Sequence, residues 1–144
     1  MATVFDVAKY ILEQRGEITA MKLQKLVYYS QAWTLVWDEQ SLFNERIEAW
    51  ANGAVVPALY AVHRKMLQIN KDSFSNGNSS VLTAKQKSNI DKVLDFYGKY
   101  TAQQLSDINH QEAPWINARG DLPPLARCEE EITQAAILEY HSGI

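Results

Sequence analysis

The 144-residue chain holds a single cysteine, Cys128, so no disulfide can close within it, and a lone thiol suits a reducing compartment. Long apolar runs are also missing. No stretch approaches the ~20 apolar residues that a membrane-spanning helix requires. The start, MATVFDVAKYILEQRGE, lacks the basic-then-apolar order of a secretory leader. These absences lead to the expectation of a soluble, cytoplasmic protein. Basic charge is not in excess either. Against 14 Lys and Arg stand 17 Asp and Glu, a formal net charge of −3, which argues against a general nucleic-acid binder but leaves room for a local basic patch. The three histidines, His63, His110 and His141, have no second histidine at i+3 or i+4, and CxxC, HExxH and glycine-rich phosphate loops are absent. His110-x-Glu112 matches the first half of a zinc-deaminase signature whose second half, Pro-Cys-x-x-Cys, is missing. No metal or cofactor is expected.

What is present is apolar residues at helical spacing. Thr3 and Asp6 form a capping-box pattern ahead of Val4, Val7, Ala8, Ile11 and Leu12, and Gly16 is placed to end that helix in a left-handed conformation. Thr19 caps a second helix with Leu23, Leu26, Val27, Trp33 and Trp37 on one face and Tyr28, Tyr29, Ala32, Leu35 and Val36 around the others. A helix apolar nearly all round is a buried one, so residues 19–37 are expected to form the centre of the core. Residues 43–56 suit a short strand or hairpin, with Asn52-Gly53 as a turn signal. Pro57 opens a third helix with Leu59, Val62, Met66 and Ile69 on one face. The polar segment SFSNGNSS is either a hairpin about Asn76-Gly77 or an exposed loop. Thr83 with Gln86 and Thr101 with Gln104 repeat the capping box. Leu122-Pro123-Pro124 is an extended connection, and Glu129–Glu131 favour the start of a last helix containing Ile132, Ala135, Ala136 and Tyr140. With no internal repeat and no flank able to fold alone, the pattern predicts a mainly α, compact, single-domain helical bundle over residues 1–144. Strands are confined to about 43–56 and 72–82.

Two constellations allow a chemical reading. Ser106, Asp107 and His110 are near in sequence, but a triad is a matter of geometry, and hydrogen bonding near a helix end is the favoured account of Asp107 and His110. The run ITAMKLQKLVYYSQAW also reads as the turn and second helix of a helix-turn-helix, with Lys22 and Lys25 facing phosphate. The alternative is that both lysines solvate the polar edge of a buried helix. Trp50 and Trp115, in polar irregular stretches, are core plugs or interface anchors.

Four blocks, VAKYIL at 7–12, ITAMKLQKLVYYSQAW at 18–33, LFNERIEAWANGAVVPALY at 42–60 and LSDINHQEAPWINAR at 105–119, together resemble the SocA-like antitoxin family, or Panacea domain, of bacterial and prophage toxin–antitoxin pairs. The chain departs from that pattern near Ala54, where a proline is expected, and at Asn109, where a threonine often precedes the histidine. The resemblance implies a mostly helical domain with a small β element. It also implies direct binding and neutralisation of a toxin encoded by an adjacent gene, in some relatives with delivery of that toxin to a Clp-type protease. The expected contact surface joins residues 44–60 and 110–119: Trp50, Tyr60 and Trp115 as anchors, with Glu48, His110, Glu112 and Arg119 as directional contacts. The alternatives from the residues alone are a helix-turn-helix regulator that contacts DNA, or a small hydrolase or transferase using His110 and Glu112.

Overall fold

The computed structural model describes residues 2–144. Helix α1 (Val4–Arg15) begins with the expected reciprocal box: Asp6 N donates to the Thr3 hydroxyl, and Thr3 N to the Asp6 carboxylate. It ends at Gly16, whose φ is 74° but whose ψ of −150° lies outside the left-handed helical well. Helix α2 (Ala20–Asp38) is the centre of the molecule and packs against α1 and against three later helices, at residues 84–97, 102–109 and 134–142. From Leu23 to Ala32 every residue is buried, as the all-round apolar pattern predicts.

That burial encloses polar side chains, and Gln24, Lys25, Ser30 and Gln31 each have a backbone partner. Gln24 brackets Val56, accepting from its N–H at 2.8 Å and donating to its carbonyl at 3.3 Å. One turn pair later, Gln31 treats the 42–43 segment the same way, accepting from Leu42 N at 2.7 Å and donating to the Phe43 carbonyl at 2.8 Å. An unsatisfied polar group costs free energy when buried, so such bonds hold it there. The two glutamines therefore tie otherwise irregular chain to the central helix.

A hairpin follows, β2 (Glu48–Trp50) antiparallel to β3 (Gly53–Val55), with Ala49 opposite Ala54. Helix α3 (Pro57–His63) is shorter than expected. Val62 and Met66 are exposed, and Ile69 joins β4 (Gln68–Ile69), which pairs with β1 (Ile18–Thr19) in front of α2. Burying Ile69 opposite Ile18 requires extended chain, and this pairing overrides the helical spacing. The β1–β4 pair also lies outside the two regions to which strands were assigned from sequence.

The 72–82 segment contains no strand. It carries a 3-10 turn at Ser79–Val81 and is pinned to α1 by Asn78 N donating to Asp6 at 2.8 Å. Gly77 is not at positive φ, so no type I′ turn forms there. Its service is close approach: a Cβ on Gly77 would lie 2.5 Å from the Phe5 carbonyl oxygen.

Helices α4 (Ala84–Tyr97) and α5 (Ala102–Asn109) both carry the predicted capping boxes. Helix α6 (Ala113–Arg119) leads through the proline segment to α7 (Gln134–Ser142), capped by Thr133. Glu129–Glu131 do not open that helix. They run extended beside β2, with Ala49 N donating to the Glu130 carbonyl at 2.9 Å and Ile132 N to Ile47 at 2.8 Å. An edge strand with free N–H groups outweighs the weak dipole preference of three glutamates. One core cluster runs from Ala2 to Ile137. Among the described residues, no helix is long and apolar enough to cross a membrane.

Candidate partner-binding site

The β2–β3 hairpin is held from behind by side chains of α2 and α5. Ala49 and Ala54 face each other as a pair whose own N–H and C=O groups point out of the ladder. On the β3 side, Lys25 donates to the Ala54 carbonyl at 3.1 Å, and Ala54 N donates to Asn109 Oδ1 at 2.7 Å. The Ser106 hydroxyl donates to the Asn52 carbonyl at 2.7 Å. Gly53, at φ +114°, sits so tightly that a Cβ there would lie 2.6 Å from Lys25 Cε and 2.8 Å from Asn109 Oδ1. The turn glycine is required twice, for its dihedral and for the space.

On the β2 side, Arg119 donates to the Ala49 carbonyl at 3.0 Å and to the carbonyls of Pro123, Pro124 and Ala126 at 2.8, 3.2 and 2.6 Å. Its guanidinium lies 4.9 Å from the centre of the Trp115 ring, and Trp115 Nε1 donates to the Trp50 carbonyl at 2.8 Å. Both side chains are interior, Arg119 4% and Trp115 7% exposed. They fix the backbone of the hairpin and of the 123–126 segment, and the core role applies to Trp115.

In front of the hairpin the surface is different. Trp50 is half-buried and meets exposed Tyr60 edge-on at 4.8 Å. Glu48 accepts from Trp50 Nε1 at 2.8 Å and from Arg46 at 2.8 Å. Glu48, Trp50 and Tyr60 line a cleft of about 700 Å³, completed by His63 and by Leu125, Arg127 and Cys128 from the chain after α6. Leu125 is 89% exposed at its edge. The cleft draws on the 125–129 stretch, which sequence spacing did not implicate. An exposed leucine beside two prolines was the available signal.

The remaining candidates sit elsewhere. His110 stacks on Trp115 at 4.3 Å, its Nε2 is buried without a partner, and burial lowers its pKa. Glu112, 5% exposed, accepts from the Tyr29 hydroxyl at 3.0 Å and from Asn109 Nδ2 at 3.1 Å, both at Oε1. Burial raises its carboxyl to about 7. Glu112 lines a second groove of about 610 Å³, walled by Trp33, Trp37, Phe96, Tyr97 and Tyr100. Trp37, expected to face the core, is 42% exposed there. The seven residues thus divide: Glu48, Trp50 and Tyr60 on the cleft, His110, Trp115 and Arg119 behind the hairpin, Glu112 on the second groove.

Two readings of α2 and α5 change with this geometry. Lys25 is wholly buried, so it neither faces phosphate nor solvates a polar edge, and burial pushes its amine down to about 7. Lys22 donates to the Gly98 carbonyl at 2.7 Å. Ser106 is engaged by Asn52 and Asp107 accepts from Gln103 at 2.9 Å, so Ser106, Asp107 and His110 do not form a hydrogen-bonded triad.

The sequence model described as "Antitoxin SocA-like, Panacea domain" matches residues 23–116, from within α2 to α6. The chain belongs to this family. No curated protein and no solved structure matches it. The matched span contains Lys25, the hairpin, Asn109 and Glu112, whereas Arg119 and the 125–129 wall of the cleft lie beyond it. Ala54 and Asn109 meet in space. Ala54 has an N–H that proline lacks, and Asn109 carries the amide oxygen that accepts it.

Proposed function

We propose that this domain neutralises a toxin encoded by an adjacent gene through direct, non-catalytic protein binding in the cytoplasm, with the Trp50–Tyr60 cleft at the centre of the contact. Family membership supports an antitoxin role in general. The observation that carries the cleft is the contrast between its two sides. Behind it, carbonyls and N–H groups of the hairpin are bonded by buried Lys25, Asn109, Trp115 and Arg119. In front, the Trp50 and Tyr60 rings stand at the surface beside the Glu48 carboxylate and exposed Leu125. Preorganised aromatic residues on a rigid backbone are the usual high-energy contacts of an interface. In this reading Glu48, Trp50 and Tyr60 touch the toxin. His110, Trp115 and Arg119 set the shape of the surface that it meets.

The experiment is co-expression with the neighbouring toxin gene, combined with affinity and melting measurements on Trp50→Ala and Tyr60→Ala. Each truncation is expected to weaken binding by roughly 2 kcal/mol or more while the fold persists, and Glu48→Gln by less. Variants that stay folded and neutralise the toxin fully remove this surface from consideration. A toxin lifetime unchanged on co-expression indicates sequestration. A shortened lifetime that depends on a Clp-type protease indicates delivery.

A further inference from the structure

The groove along α2, α4 and the end of α5 plays no part in that contact, yet it has the features of a receptor for one kind of group. Trp33 and Trp37 stack at 5.5 Å, and the Trp33 indole donates to the Tyr97 hydroxyl at 3.0 Å. Tyr97 is itself stacked on Tyr29 at 4.1 Å, so this wall is braced from within the core. Phe96 stands 56% exposed on the other side. Cations already rest on the outer rings: Lys92 lies 5.3 Å from the centre of Trp37, and Lys99 5.1 Å from that of Phe96. The faces of these rings therefore attract positive charge, and an incoming cation takes the place of these lysines.

Glu112 lines the same groove. Its two hydrogen bonds both end on Oε1, from neutral donors. Oε2 receives none among the described residues, and the residue lines the groove wall. Among the described residues, no lysine or arginine forms an ion pair with this carboxylate. A carboxyl group held in an aromatic wall favours its neutral form, and a cation that reaches the free oxygen stabilises the carboxylate instead. The cation must also lie flat against aromatic rings and tolerate loss of water. Guanidinium does both better than ammonium, because it is planar and weakly hydrated.

We propose that the groove receives an arginine side chain of the protein partner, its guanidinium paired with Glu112 Oε2 and flanked by the rings of Trp33, Trp37 and Phe96. The proposal rests on the reading of the domain as a protein-binding antitoxin and adds a second, charge-selective contact to the Trp50–Tyr60 cleft.

The purified full chain is titrated with acetyl-arginine amide and with its uncharged isostere, acetyl-citrulline amide, while the four indole N–H resonances are followed by NMR. Saturable shifts of Trp33 and Trp37 with arginine, about tenfold weaker with citrulline, are expected. Glu112→Gln keeps an acceptor for Tyr29 and Asn109 but presents an amide to the groove. Phe96→Ala removes an exposed wall of the groove. Each is expected to weaken arginine binding by about tenfold or more with the fold retained. Equal response to arginine and citrulline, or shifts confined to Trp50 and Trp115, overturn the proposal. So does unaltered binding in a folded Glu112→Gln variant. Affinity for the neighbouring toxin forms the second arm. If wild type binds the toxin and Glu112→Gln binds it equally well, the arginine contact is refuted. If wild type binds no toxin while the arginine titration succeeds, the antitoxin reading fails and the arginine site stands.

Discussion

Replacing Lys25 by methionine tests the most unusual feature of the core. Lys25 is fully buried, and its amine has one acceptor, the Ala54 carbonyl at 3.1 Å. Burial lowers its pKa from 10.5 to about 7. Between those values the unfolded chain carries the proton and the folded one does not, so stability rises with pH across this window. Below about 7 both states are charged and the fold bears the whole cost. At about 1.36 kcal/mol per tenfold, that cost is on the order of 5 kcal/mol, and roughly 2 kcal/mol of it is recovered between pH 7 and 9. Methionine preserves the apolar stem and most of the volume, but leaves the Ala54 carbonyl without its donor, a loss of about 1–3 kcal/mol. Lys25→Met is therefore expected to be more stable than wild type at pH 6 by roughly 2–4 kcal/mol, with the advantage shrinking as pH rises to 9. Urea unfolding at pH 6, 7, 8 and 9 measures both quantities. A wild-type stability that does not rise from pH 7 to 9 relative to the variant refutes the argument. So does a variant that is weaker at every pH.

The Glu112 carboxyl has the opposite sign. Its pKa is raised by burial to about 7 from 4.5, so the stability that it contributes is present below 4.5 and is lost as pH rises through 7. Relative to Glu112→Gln, wild type should lose about 2–3 kcal/mol between pH 5 and 8, and parallel pH profiles would contradict this. The hydrogen bond from Ala54 N to Asn109 predicts coupling between the two positions. Ala54→Pro and Asn109→Thr should each cost about 1–3 kcal/mol, and the double variant less than their sum by roughly 1 kcal/mol, read from denaturation midpoints. Strict additivity would mean that the two positions are energetically independent.

Much of the helical architecture is local and was legible. The reciprocal caps at Thr3, Thr83 and Thr101 each depend on two side chains three residues apart, and all three formed. The buried central helix followed from its unbroken apolar load. Polar residues inside that load were the underused signal. Gln24, Lys25 and Gln31 on a helix buried on all sides must each reach a backbone group, which is how they hold the hairpin and the 42–43 segment.

The tertiary structure alone decided which elements pair over distance and which side of a residue faces water. Ile18 meets Ile69 across fifty residues of chain, and the 130–132 stretch joins β2 across eighty, so neither strand has a local signature. Trp50 and Trp115 are equivalent in sequence context, yet one lines a cleft and the other is buried beneath the same strand. Glu112 and Arg119, read as neighbouring contacts, bond to different parts of the core. Capping and periodicity are properties of a few adjacent residues and survive in the sequence. Exposure is set by what packs above a side chain, and that exists only once distant segments have come together.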